Sequence, residues 1–101
     1  VPELGVELCS DFAALRQERA ALDDRICRWA EGLDAHWLAE HLEYVSKVDG
    51  QWRRVPRWVL VSHMFNHETH HRGQITTLLC QLGHDIGTTD LPFMPEFSAP
   101  R

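Results

Sequence analysis

The feature that most constrains this fold is a segment from Pro56 to about Leu82, which is apolar around much of the circumference of the helix it predicts. Proline suits the first turn of a helix, where its missing N–H would have no partner, and Gly83 is placed to end the helix as its C′ residue. The apolar side chains of the segment are Trp58, Val59, Leu60, Val61, Met64, Phe65, Ile75, Leu78, Leu79 and Leu82. One partner helix cannot bury so wide a surface, and exposed patches of this size usually mark an interface.

A second long helix is predicted nearer the start of the chain, from about Leu4 to Leu33. Its apolar residues recur in steps of three, four and seven, and only Arg19 falls in the apolar position inside the step of seven. They are Leu8, Phe12, Leu15, Leu22, Ile26, Trp29 and Leu33. This spacing predicts an amphipathic helix with a single apolar stripe, and Gly32 is its stop signal.

The region between the two helices predicts a short helical piece followed by a hairpin. Asp34 is a candidate N-cap, and Asp49-Gly50 is a two-residue hairpin signal between runs that contain valine, tyrosine and tryptophan. We therefore expect an all-α fold of two long antiparallel helices joined by a β-hairpin-like connection. Residues 1–101 would be one domain, with 84–101 an extended tail that packs on the bundle. A homodimer would bury the remaining apolar surface in a four-helix bundle.

Composition excludes several classes of function. The net charge of −5 argues against a nucleic-acid partner, which requires a basic face. The three cysteines are odd in number and form no C-x-x-C, so a reducing cytoplasm is expected and not a disulfide framework. No apolar run approaches the roughly 18–20 residues that span a bilayer, so no membrane partner is expected.

Four histidines gather on one face of the second predicted helix. At 100° per residue, and with His67 at zero, His71 lies at about +40°, His63 at about −40° and His70 at about −60°. Gln74, at about −20°, lies within the same arc. Polar groups set into an apolar stripe are costly unless they are paired or bind something. The cluster therefore favours a metal site over ordinary packing.

Only two of these histidines can ligate one ion from a straight helix. His63 and His71 are separated by about 12 Å along the axis, while metal–nitrogen bonds are about 2.0–2.1 Å long. Either His63 with His67 or His67 with His71 has the required spacing of four residues. His70 would then support the ligands from behind or face a substrate, and a pH sensor built on the cluster is a further alternative.

The run HETHH, residues 67–71, also matches the His-Glu-x-x-His signature of zinc proteases, but the rest of a protease site is missing from the sequence. The extended signature requires Gly at position 74 and His at position 77, where this chain has Gln74 and Thr77. Only a proline-rich segment follows to supply another ligand, and no sheet is predicted that could align a peptide. Glu68 lies at about +100°, away from the histidine arc. We therefore reject the protease interpretation.

The run HMFNHETHHRGQITTLLCQLG, followed by DIGTTDL, resembles the DinB/YfiT-like family of metal-binding four-helix bundles. The matching motif is His-x-x-His-His-Arg-Gly-Gln, which begins here at His67 and ends at Gln74. Upstream, DFAALRQERAALDDRICRWAEGLD is similar to the family's third helix, and LEYVSKVDGQWRRVPRW to the connection before its fourth. The resemblance spans roughly residues 8–95, and the chain is interpreted as the C-terminal half of such a bundle.

The resemblance implies that His67 and His71 bind a divalent metal, zinc or nickel. His63, His70 and Gln74 are the candidates for acid/base or supporting roles. The family's third ligand is a histidine on its second helix. Here it is expected from a second copy of the chain, from His36 or His41, or from solvent.

The functions that follow from the resemblance are metal-dependent reactions of small molecules, either thiol S-transfer with a low-molecular-weight thiol or hydrolase-like chemistry. The alternative is a truncated helical dimerisation module without catalysis, whose metal site is degenerate.

Overall fold

Residues 5–97 are the part of the chain that the computed structural model describes, and they form three α-helices, one two-stranded sheet and two 3₁₀ turns. They belong to two compact units, Val1–Arg57 and Trp58–Arg101, which are described separately. In chain order the elements are α1 (Phe12–Glu31), α2 (Ala35–Ala39), β1 (His41–Val45), β2 (Trp52–Pro56), α3 (Arg57–Gln81) and the 3₁₀ turns Leu91–Phe93 and Pro95–Phe97.

The predicted fold class, all-α with two long helices joined only by a hairpin-like connection, is wrong. The connection contains a helix of its own, α2, and a true antiparallel ladder in which His41 is opposite Pro56 and Val45 is opposite Trp52. The physical reason is local. Asp34 starts a helix that the extended residue Glu40 ends after five residues, and alternating apolar and polar residues then favour strands over further helix.

α1 begins eight residues later than the first predicted residue, Leu4, which lies outside the described residues. Asp11 is in extended conformation, and its side chain accepts a hydrogen bond from the Ala14 N–H at 2.8 Å. Such a cap stabilises a helix by about 1 kcal/mol, so the helix starts there although the apolar spacing continues upstream. Gly32 is its C-cap residue, which confirms the predicted stop signal, and α1 ends at Glu31, two residues before the predicted end at Leu33.

α2 is fixed to the first unit by its cap and by Arg57. The Asp34 side chain accepts from the Trp37 N–H at 2.7 Å, which confirms the predicted cap. The Arg57 guanidinium donates to Glu40 at 3.1 Å and lies 4.7 Å above the centre of the Trp37 ring. Trp37 in turn meets Trp29 of α1 edge to face, with ring centroids 6.3 Å apart. These contacts hold the C-terminal end of α1, α2 and the first residue of α3 together.

The hairpin turn is longer than the two residues predicted. The ladder extends through a hydrogen bond from the Ser46 N–H to the Gln51 carbonyl at 2.9 Å, which leaves a four-residue turn, 47–50. Gly50 adopts a positive φ of 71°, a conformation glycine tolerates without strain. The guanidinium of Arg53 and the Gln51 N–H hold the pKa of the Asp49 carboxyl well below its usual range, so Asp49 stays charged in acid that neutralises an ordinary aspartate.

The C-terminal end of α3 confirms the predicted role of Gly83. This residue has a φ of +87°, and its N–H donates to the Cys80 carbonyl at 3.0 Å. The His84 N–H donates to the Leu79 carbonyl, also at 3.0 Å. The two bonds form a Schellman motif, which satisfies carbonyls at the helix end and turns the chain out of the helical path.

The large apolar side chains of the described residues remain accessible, and no residue from 5 to 97 is buried. In the first unit Phe12 is 77% exposed; in the second, Leu78 is 59% and Ile75 is 57% exposed. The wide apolar surface predicted for the second long helix is therefore present on α3. None of the helices in the described residues is long and apolar enough to cross a membrane.

Candidate metal site

The closest meeting of imidazoles on α3 is between His67 and His71. Their Nε2 atoms are 2.9 Å apart, and their ring centroids are 4.5 Å apart in an edge-to-face arrangement. Residues four apart on a helix are neighbours on its surface, and α3 is uninterrupted from Arg57 to Gln81. Both rings can therefore direct a nitrogen at the same point outside the helix.

Gln74 determines which nitrogen of His71 carries the proton. The Gln74 Oε1 atom lies 2.8 Å from Nδ1 of His71. An amide oxygen only accepts hydrogen bonds, so Nδ1 is the donor and Nε2 of His71 keeps its lone pair. With this tautomer, that lone pair accepts a hydrogen bond from the N–H at Nε2 of His67. The arrangement presents a basic nitrogen of His71 toward the shared point.

The other two histidines lie on the same face but outside this pair. The His63 ring centroid is 5.5 Å from that of His67, and His70 is 5.3 Å from His71. Among the hydrogen bonds of residues 5–97, none joins His63 or His70 to the pair. Of the two pairs that sequence spacing allows, the structure therefore brings His67 and His71 together and leaves His63 farther away.

The pair fits two adjacent positions around a divalent ion. With bonds of about 2.0–2.1 Å, two nitrogens of a tetrahedral ion are about 3.4 Å apart, and nitrogens at 90° are about 2.9 Å apart. The observed 2.9 Å thus suits a 90° angle directly, and a tetrahedral angle after a small outward rotation of the rings. Within residues 5–97 no third His, Cys, Asp or Glu joins the pair to make a set able to hold a metal.

The groove that accompanies the histidines is open and partly apolar. Its lining residues are His70, His71, Gly73, Gln74, Ile75, Thr77, Leu78 and Gln81. The sequence interpretation had not singled out Ile75, Thr77 or Gln81 for this groove. The signal for them was available, because the helical angles of Ile75 and Thr77, about +80° and −80°, flank the histidine arc, and that of Gln81, about −40°, lies within it.

The opposite side of α3 is taken by the segment that follows it. Thr89, Asp90 and Leu91 line a groove together with four residues of α3: Phe65, Glu68, Thr69 and Arg72. Glu68, the acid of the protease-like run, therefore belongs to the groove with the tail and not to the histidine face. His36 and His41 belong to the first unit, where His36 lies 3.4 Å from the Glu40 carboxylate.

Comparison with known proteins decides the family. The model of the DinB family matches residues 6–101, nearly the whole chain. The chain belongs to the DinB family. Comparisons with curated proteins and with solved structures gave no match. The resemblance inferred from the His-x-x-His-His-Arg-Gly-Gln motif is therefore confirmed, and the imidazole pair of this DinB protein is formed by the first and last histidines of that motif.

Proposed function

We propose that this DinB-family protein binds a divalent metal, zinc or nickel, through Nε2 of His67 and Nε2 of His71. The observation that carries the proposal is the 2.9 Å separation of these two atoms on an exposed helix face. We propose that the protein acts on small molecules, either by transferring a low-molecular-weight thiol to them or by hydrolysing them. A bound ion of this kind would lower the pKa of a coordinated thiol or water so that the nucleophile forms near neutral pH.

Other residues of the chain would hold the ligands in place, transfer protons and contact the small molecule. Gln74 holds the His71 ring so that its Nε2 lone pair faces outward, a support that metal-ligating histidines commonly have. His63 and His70, on the same face, would accept or donate protons for a molecule placed beside the pair. Ile75 would contact the apolar part of that molecule, since its side chain is more than half exposed next to the histidines.

A metal titration with a matched pair of glutamine variants tests the binding proposal. The protein, purified without a histidine tag and stripped by a chelator, is titrated with Zn²⁺ by calorimetry. We expect saturable binding by the wild type, and about 10–100-fold weaker binding by Gln74→Leu, the usual effect of losing such a support. Gln81→Leu changes the same residue type in the same groove but touches no histidine, so its affinity should match the wild type. Absence of saturable binding by the wild type would refute the proposal.

A second candidate function is a non-catalytic helical dimerisation module. It is favoured by the missing third ligand among the described residues and by the exposed apolar side chains of α1 and α3. The histidines would then bind metal weakly or only hydrogen-bond to each other.

The two candidates differ in whether a bound ion accepts a thiol. A small monothiol is added to the nickel-loaded wild-type protein, and the ultraviolet absorption of a nickel–thiolate bond is recorded. The catalytic candidate predicts a saturable band that His67→Ala lacks, because thiol chemistry requires an open coordination position. Nickel binding without any thiolate band would favour the non-catalytic module.

A further inference from the structure

His67, His71 and two leucines lie on one line along α3, and this line is symmetric about the position of Thr69 along the helix axis. His67 and His71 lie two residues to either side of Thr69, and Leu60 and Leu78 lie nine residues to either side. Both leucines are at about +20°, midway between the two histidines at 0° and about +40°. Leu60 is partly exposed and Leu78 is 59% exposed, so each end of the line offers an accessible aliphatic side chain.

Such a pattern is self-complementary for two antiparallel helices. In an isologous contact, a two-fold axis makes residue i meet residue j and residue j meet residue i. With the axis at the level of Thr69, Leu60 would face Leu78 of the partner subunit. His67 would likewise lie beside His71 of the partner subunit. The two imidazole pairs would then approach each other at the centre of the contact.

The metal site itself requires more donors than one chain provides in its described part. Zinc sites have three or four protein ligands, whereas only two histidine nitrogens converge here, and no third ligating group joins them in residues 5–97. Of the described residues after α3, Thr89, Asp90 and Leu91 line the groove on the opposite side of the helix and not the groove beside the pair. The face that lacks donors is thus also the face that is open to a second chain.

We infer that two copies of this chain share one metal ion, held by His67 and His71 of each copy and flanked by leucine contacts at both ends. This inference rests on the metal binding proposed above and deepens it. Zinc held by all four histidines would have its coordination filled and would be structural. The thiol or water chemistry proposed above would then require an ion that accepts further ligands, such as nickel, and the 2.9 Å spacing of the nitrogens suits ligands at 90°.

The helix contact alone is small. From Leu60 to Leu78 it is about 27 Å long and about 10 Å wide, on the order of 300 Å² on each helix. A standard interface buries about 800 Å² on each partner. The shared ion therefore supplies a large part of the affinity along this face, and association by it depends on metal.

Metal stoichiometry and molecular mass, measured on the same sample, test the shared site. The chelator-stripped full chain is titrated with Zn²⁺, and bound metal is measured by mass spectrometry alongside light scattering. We expect half an ion per chain and a mass of twice 11.7 kDa, about 23.4 kDa. One ion per chain on an 11.7 kDa species would overturn the shared site and leave the proposed metal binding intact. A wild-type chain that binds no ion would refute both.

Charge placed on the leucine line provides a second test that leaves the histidines in place. Leu78→Glu should prevent the metal-dependent increase in mass and weaken zinc binding by more than the roughly 10–100-fold effect of losing a supporting group, because two ligands are lost with the partner. Leu82→Glu is the matched control, since Leu82 is 75% exposed and lies beyond the Leu60–Leu78 line; it should behave as the wild type. Circular dichroism should show equal helicity in all three proteins. Leu78→Glu with wild-type affinity for zinc, or equal effects of the two variants, would overturn the inference.

Discussion

His67→Ala should weaken zinc or nickel binding by more than about 100-fold, because it removes one of the two nitrogens that converge within 2.9 Å. Loss of a group that only supports a ligand costs about 10–100-fold, and loss of the ligand itself costs more. His71→Ala should have an equal effect. Calorimetric titration of the stripped proteins measures both affinities.

His63→Ala is the control that makes this result specific. His63 lies on the same helix face and is also four residues from His67, but its ring centroid is 5.5 Å from that of His67, against 4.5 Å for His71. Its removal should change the affinity by no more than a few-fold. If His63→Ala and His71→Ala weakened binding equally, the assignment of His67 with His71 as the ligand pair would be wrong.

Gly73→Pro should lower the free energy of unfolding of α3 by about 3 kcal/mol, the usual cost of proline inside a helix. Proline at this position removes the hydrogen bond from the residue 73 N–H to the Thr69 carbonyl and pushes its ring against that carbonyl. It also disfavours helical backbone at Arg72, directly after His71. We expect loss of far-UV helical signal and of metal binding together.

Gly73→Ala should instead raise the free energy of unfolding. A Cβ at position 73 would meet no atom within 4 Å, so the methyl group fits without displacement. Alanine in a helix interior is favoured over glycine by roughly 0.5–1 kcal/mol. Chemical denaturation monitored by circular dichroism compares both variants with the wild type. A destabilised Gly73→Ala protein would indicate that this position is covered, for example by a second chain.

Local signals predicted the structure well where the deciding contact spans only a few residues. Asp34 and Gly83 were identified as a cap and a helix stop because the hydrogen bonds involved reach three to five residues along the chain. The start of α1 was predicted wrongly, since apolar spacing continues upstream of Asp11 although Asp11 itself has extended backbone and caps the helix. The hairpin turn was also mispredicted, because Asp49-Gly50 alone does not reveal the added Ser46–Gln51 hydrogen bond.

For the candidate metal site, too, the local contacts could be predicted from the sequence and the distant ones could not. Helical angles were sufficient to place four histidines and Gln74 on one face, and the structure shows His71 in contact with both His67 and Gln74. Which further group would complete the proposed metal site depends on parts of the molecule that are distant in sequence or on another chain. Spacing along one helix carries no information about those partners, so the third ligand was left open.

The position of the segment after α3 has a consequence for how this protein can vary during evolution. Thr89, Asp90 and Leu91 share a groove with Phe65 and Arg72 on the side of the helix away from the imidazoles. Substitutions among these positions should therefore covary in an alignment of related sequences. Substitutions at these positions should not covary with substitutions at positions 67 and 71, so the two sides of α3 would evolve independently of each other.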